Sequence, residues 1–211
     1  MNSYRHHILK LIKQALHHAQ LPASPRFLDF GAGDGWFASK IRDELVRDAD
    51  VHAIDVKKRD FTHCDINIVS PSAIRDFPAQ SFDLVYSIDV LHHCADPEET
   101  LHGLIRASSG YVLLKDHVAF SGLDAFTLGV LDEIGNRRFG IPSNYHYQRN
   151  WAWENILQRA GWDTVFKAWP APCHRGILGK LTNRLQYVAM YRSPKAAKHQ
   201  ITLQDEVDRQ H

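Results

Sequence analysis

A glycine cluster set between a short apolar run and an amphipathic stretch constrains this chain more than any other feature. Phe27-Leu28-Asp29-Phe30 stops at Gly31-Ala32-Gly33-Asp34-Gly35, and Phe37, Ile41 and Leu45 then recur every four residues, which places one apolar face on a helix. A strand that turns into a helix through glycines opens a strand–helix–strand unit. Glycine lacks a Cβ, so the backbone turns tightly there and lets a ligand come close. The next strand, Val51-His52-Ala53-Ile54-Asp55-Val56, carries Asp55 near its end, 22 residues after Gly33. A carboxylate at that point accepts hydrogen bonds from both hydroxyls of an adenosine ribose. A dinucleotide fingerprint would need a third glycine at position 36, where the chain has Trp36, too bulky for close helix–strand packing.

Further along, the pattern keeps alternating. A weaker strand is expected near Asp65-Val69, a loop-rich connection from Pro71 to Pro78, and a buried strand over Phe82-Ser87. A helix from Pro97 through Ile105, a strand over Tyr111-Lys115 and a helix over Ser121-Ile134 follow. Another helix is expected over Asn150-Ala160, with Asn150 as N-cap and Gly161 as its stop. Two late strands, near Trp162-Trp169 and Leu185-Tyr191, have little helix between them and suggest an antiparallel edge. Strands alternating with helices imply a three-layer α/β/α sandwich around a mostly parallel sheet, with the ligand at the carboxyl ends of the central strands.

The 211 residues, 44% of them hydrophobic, suffice for one domain with a buried core. Residues 1–22 read as an amphipathic helix ended by Pro22, packed on the domain or covering its site, and residues 193–211 read as a polar tail. A net charge of +1 argues against a protein that grips nucleic acid through its phosphates. No apolar run approaches the ~20 residues needed to span a bilayer, and no secretory signal is seen, so no integral membrane segment is expected. Cys64, Cys94 and Cys173 are odd in number and far apart, which fits a reducing compartment; the expected location is the cytoplasm. The 14 histidines show neither zinc-ligand spacing with a cysteine nor an HExxH frame, so most are expected at the surface and no metal is expected.

At this point the chain resembles the class I, Rossmann-like S-adenosylmethionine-dependent methyltransferases. The matching stretches are Leu28-Gly35 (LDFGAGDG), His52-Asp55 (HAID) and Phe82-Leu101 (FDLVYSIDVLHHCADPEETL) before Tyr111-His117 (YVLLKDH). The resemblance covers Phe27 to Tyr191 and implies a methyltransferase domain over residues 23–192, with S-adenosyl-L-methionine as cofactor. It implies that Asp29, Gly31, Ala32 and Gly33 line the methionine and ribose, that Asp55 holds the ribose hydroxyls, that Val56 packs on adenine, and that Ser87 and Ile88 border the sulfonium. Where relatives place an acid against the adenine amine, this chain has Pro71 and Ser72; Ser72, a backbone carbonyl and Asp65 are the alternatives for that contact.

Two clusters stand where a methyl acceptor would bind. Asp89-Val90-Leu91-His92-His93 occupies the place of a segment that some ubiquinone-type O-methyltransferases use to bind a divalent metal, but His92 replaces an acid, which weakens a hard-cation site. Lys115-Asp116-His117 resembles a subgroup of bacterial small-molecule methyltransferases that pairs KDH with a later GN and a proline–tyrosine segment, here Gly135-Asn136 and Pro142-Tyr147. The resemblance implies a small-molecule acceptor, with His117 as general base, Asp116 orienting it, and His92, Lys115, Asn136, Tyr145 and His146 shaping the pocket. The opposing reading of KDH is a structural ion pair. The motifs of DNA amino- and cytosine-methylating enzymes are absent after the fourth strand. A cofactor-binding regulator without catalysis and a nicotinamide-dependent oxidoreductase are the rival functions.

Overall fold

The computed structural model describes residues 3–136 and 145–197, with side chains left aside at 135 and 136. In chain order the elements are α1 (Ser3–Leu16), β1 (Arg26–Phe30), α2 (Trp36–Lys40, continued by a π turn to Leu45), β2 (Asp50–Asp55), β3 (Asn67–Ile68), β4 (Phe82–Ile88), α3 (Pro97–Ala107), β5 (Ser108–Ala119), α4 (Gly122–Asn136), β6 (Gln148–Arg149), α5 (Ala152–Arg159), β7 (Asp163–Ala168), α6 (Gly176–Thr182) and β8 (Gln186–Arg192). The sheet runs β3-β2-β1-β4-β5-β8-β7, with β6 pairing to the end of β5. The pairings from β3 to β5 are parallel, whereas β8 is antiparallel to both β5 and β7. This is the Rossmann-like sandwich with an antiparallel edge. Strand order reverses between β1 and β4, which opens a crevice at their carboxyl ends.

Alternation along the strands divides the core into two layers. Leu28, Phe30, Val85, Val112 and Leu114 face α3 and α5, where Leu101, Leu104, Trp153 and Leu157 complete one cluster. Phe27, Leu84, Tyr86, Tyr111 and Leu113 face α1 and α2, where Ile8, Ile12, Trp36 and Ile41 complete the other. Ile8 and Ile12 are 0% and 1% exposed, so each contributes about 1.5–3 kcal/mol of burial that anchors α1. No helix among the described residues is long and apolar enough to cross a membrane.

Several boundaries differ from the sequence expectation. The strand expected over Tyr111-Lys115 extends to Ala119, because β8 and β6 both supply it with partners beyond Lys115. Asn150 is not the N-cap of α5. It and Trp151 both adopt left-handed backbone, Trp151 holds the cap position, and Gln148 Oε1 accepts the Trp153 N–H at 3.1 Å. Helix α6 went unforeseen because Ile177, Leu178 and Leu181 point outward while Gly179 and Thr182 face in, which reverses the usual pattern. Gly161, at φ +80°, ends α5 as expected.

Candidate active site

The glycine turn leaves β1 at the crevice. Gly31, Gly33 and Gly35 have φ of +79°, +62° and +74°, and the Gly31 and Ala32 N–H groups both donate to the Ile54 carbonyl at 2.9 Å. A Cβ on Gly31 would sit 2.4 Å from Val90 Cγ2, so only glycine lets the turn pack on the segment after β4. A Cβ on Gly33 would meet nothing within 4 Å, because that residue faces open space. Asp55 at the end of β2 pins the turn: Oδ2 accepts the Gly33 N–H at 2.7 Å and Oδ1 accepts the Lys57 N–H at 2.9 Å. Arg5 of α1 reaches across to Asp34 at 2.8 Å and ties the first helix to the same loop.

These residues border a cavity of about 600 Å³. Of the residues expected to contact the cofactor, Gly31, Gly33, Asp55, Val56 and Ile88 line it. Asp29, Ala32 and Ser87 do not. Asp29 and Ser87 stand one residue inside the ends of β1 and β4 and are covered by sheet neighbours, with 2% and 1% exposure, and Ala32 packs inward against Ala38 and Ala53. Burial pushes the Asp29 carboxyl up to about 8; the Tyr86 hydroxyl opposes that rise, and the Asp55 and Asp34 charges add to it. At the far end, Val69, Ser70, Pro71 and Ser72 form the wall without Asp65, so Ser72 and the backbone are the candidates there.

The KDH segment packs behind the turn after β4: Asp89 and His93 of that turn line the cavity, whereas Lys115, Asp116 and His117 are buried and do not line it. Lys115 is fully buried; its Nζ donates to Tyr4 Oη at 2.6 Å, to Gln186 Oε1 at 2.7 Å and to Asp89. Burial opposes its charge, but Asp89, with Cys173 and Asp116 adding to it, holds its pKa above the ordinary lysine value. Tyr4 in turn donates to Asp89 Oδ2 at 2.7 Å, and Asp89 itself lines the cavity. Asp116 points to the opposite face of β5, where Oδ1 accepts from His92 Nδ1 at 2.6 Å and from the His117 backbone N–H at 2.7 Å. His117 Nδ1 lies 3.3 Å from Asp116 and 3.8 Å from Asp89.

His92 is therefore a core residue, 1% exposed, set between Asp116 and Asp132, whose Oδ2 is 3.2 Å from His92 Nε2. Burial disfavours its charge, yet the two carboxylates lift its pKa to about 10. Burial and the His92 charge together press neighbouring His93 down to about 4. Asp132 also accepts from the Tyr147 hydroxyl at 2.5 Å.

Of the expected pocket residues, His92 and Lys115 belong to the buried cluster and do not line the cavity. Tyr145 and His146 are exposed instead; Tyr145 hydrogen-bonds Glu133, and His146 Nδ1 lies 3.0 Å from the Cys94 carbonyl. The Asn136 side chain lies outside the described residues, as do Pro142 to Asn144. Tyr4, Asp132 and Tyr147 were missed. Tyr4 sits on a helix read only for its apolar stripe, and Asp132 carries no local motif; each is brought in by tertiary packing.

A family model described as a methyltransferase domain matches residues 2–190. The chain belongs to that family. Membership makes S-adenosylmethionine the cofactor of this methyltransferase and favours catalysis over a regulator that only binds it. Among solved structures, it is similar to an S-adenosylmethionine-dependent methyltransferase of Mesorhizobium loti (16% identity, TM-score 0.59, 85% of this chain and 95% of the other). It is also similar to one of Aquifex aeolicus (15%, 0.55, 89% and 91%). The [4+2]-cyclase SpnF is as close in shape (13%, 0.60, 88% and 80%), so at such identities the likeness speaks for the fold alone. No curated protein sequence matches.

The methyltransferase cavity fits its cofactor on two observations. Each Asp55 oxygen spends one acceptor site on a backbone N–H and keeps another for a ribose hydroxyl. Gly33 presents bare backbone to the open space where a side chain would intrude.

Proposed function

We propose that this methyltransferase modifies a small-molecule acceptor held at the Asp89 end of the cavity, with His117 standing directly behind Asp89. The observation that carries the reading is the position of Asp89: it lines the cavity and at the same time belongs to the buried network of Lys115, Tyr4 and His117. S-adenosylmethionine, when bound, supplies a methyl carbon activated by a positive sulfur. The chain contributes placement and exclusion of water. Asp55 binds the ribose hydroxyls, Val56 covers adenine, and Gly31, Gly33 and Ile88 border the remainder. Asp29, Ala32 and Ser87 support the turn from inside rather than touching the ligand.

His117 takes the acceptor's proton where the acceptor is a phenol or alcohol, and Asp116 orients its ring and balances the charge that forms. The near-zero net charge supports a small acceptor over nucleic acid. Cys64, Cys94 and Cys173, all free thiols, suit a reducing compartment such as the cytoplasm.

The test supplies methyl-labelled cofactor with a panel of phenols, alcohols and amines. Label should appear in a small acceptor, and His117→Ala should lower turnover on the order of a hundredfold while leaving cofactor affinity unchanged. Turnover unaltered in that variant across the pH range refutes the base assignment. Label found only in macromolecules refutes the acceptor class.

A further inference from the structure

Behind the cavity wall, residues distant in sequence converge: His92 and His93 from the turn after β4, Asp132 from α4, and Asp116 from β5. We propose that His92 Nε2, His93 and Asp132 form a binding site for a divalent transition-metal cation of the zinc class.

The ligand atoms of these three residues all lie within 4.8 Å of one another. His92 Nε2 and Asp132 Oδ2 are 3.2 Å apart, close to the roughly 3.3 Å that separates two ligands of a tetrahedral ion with bonds of about 2.0 Å. That pair is not aligned as a hydrogen bond: His92 Nε2 is buried and has no hydrogen-bond partner among the described residues. A buried nitrogen without a hydrogen bond and a carboxylate oxygen at that separation can serve as two ligands of one ion.

The surrounding bonds are those that orient ligands. His92 commits its other nitrogen, Nδ1, to Asp116 at 2.6 Å, and Asp132 is held by the Tyr147 hydroxyl at 2.5 Å. A metal-binding histidine characteristically pairs its remote nitrogen with a carboxylate in this way. The alternative grouping of His92, Asp116 and His117 is less apt. Its His92–Asp116 contact is a closed hydrogen bond, shorter than the spacing of two ligands on one ion. Two imidazoles and one carboxylate suit zinc, cobalt or ferrous iron and do not suit magnesium or calcium, which require mostly oxygen ligands. His93 also lines the cofactor cavity, so the ion's remaining coordination positions lie at the cavity wall, where an acceptor oxygen could enter.

The test uses metal alone, so it stands or falls apart from the methyl-transfer reading. Full-length protein stripped with a chelator is titrated with Co²⁺, followed by visible absorption, and with Zn²⁺ by calorimetry. One equivalent per chain should bind, and His93→Ala and Asp132→Asn should each weaken binding by at least about tenfold. His63→Ala, at an exposed histidine, should leave it unchanged. Should Asp132→Asn fail to fold, His93→Gln, at a half-buried position, carries the same expectation. Absence of stoichiometric binding, or binding indifferent to the His93 variants, overturns the proposal.

Discussion

Gly31→Ala isolates the contact on which the shape of the crevice depends. Two costs add at this position. The backbone sits at φ +79°, where a residue with a Cβ pays about 1–2 kcal/mol. The new methyl would also stand 2.4 Å and 2.6 Å from the two γ-carbons of Val90, an overlap that forces repacking at about 1–3 kcal/mol. The sum is roughly 2–5 kcal/mol, a large share of an ordinary domain's stability. Gly33→Ala pays only the first cost, because no atom lies within 4 Å of its added methyl. Urea unfolding should therefore rank wild type above Gly33→Ala and Gly33→Ala above Gly31→Ala. In the Gly31→Ala background, Val90→Ala should restore part of the loss, whereas on its own it destabilises. A double-mutant cycle reads that coupling directly. Equal losses at the two glycines, or additive effects of Gly31→Ala and Val90→Ala, would refute the packing argument.

Other consequences follow from buried charge. The Asp29 carboxyl titrates near 8 in the folded protein and near the ordinary carboxylate value when unfolded, so the native state holds its proton more tightly. The stability this provides is complete below about pH 4 and is lost as pH rises through 8. Asp29→Asn should accordingly gain on wild type by a few kcal/mol between pH 5 and 9 in cofactor-free unfolding, and a pH-independent difference contradicts the assignment. The Asp89–Lys115 pair should respond asymmetrically. Asp89→Asn strands an ammonium with 0% exposure, whereas Lys115→Met leaves a carboxylate that is 25% exposed and still accepts from Tyr4. Asp89→Asn should cost about 3–5 kcal/mol and Lys115→Met less, by thermal or urea unfolding; the reverse order contradicts the burial argument.

The layout of strands and helices was legible wherever apolar period and glycine punctuation coincide. The turn Gly31–Gly35 and the acid Asp55 are cases where a few residues dictate their own geometry, and the structure joins them by the Gly33–Asp55 hydrogen bond. Legibility failed where partners come from elsewhere in the chain. The reach of β5 to Ala119 depends on β6 and β8, and the outward apolar face of α6 offers no period to read. The same limit explains the acceptor end. Lys115 and His117 stood out as a motif, but what surrounds them is set by Tyr4 on α1 and by Asp132 on α4, distant in sequence from the motif. Tyr145 and His146, which the resemblance places in the acceptor pocket as part of the proline–tyrosine segment, turn outward while Tyr147 turns in. Alternation within an irregular stretch cannot be fixed without knowing what it packs against.

Calorimetric titration with S-adenosylmethionine, for wild type and for Asp55→Ala shown by circular dichroism to be folded, bears most directly on the proposed anchoring of the cofactor. Wild type should bind at submillimolar concentration. Loss of the hydrogen bonds that a carboxylate makes to two ribose hydroxyls, each about 1.5–3 kcal/mol, should weaken the variant by more than tenfold. Equal affinity in the two proteins contradicts the role given to Asp55.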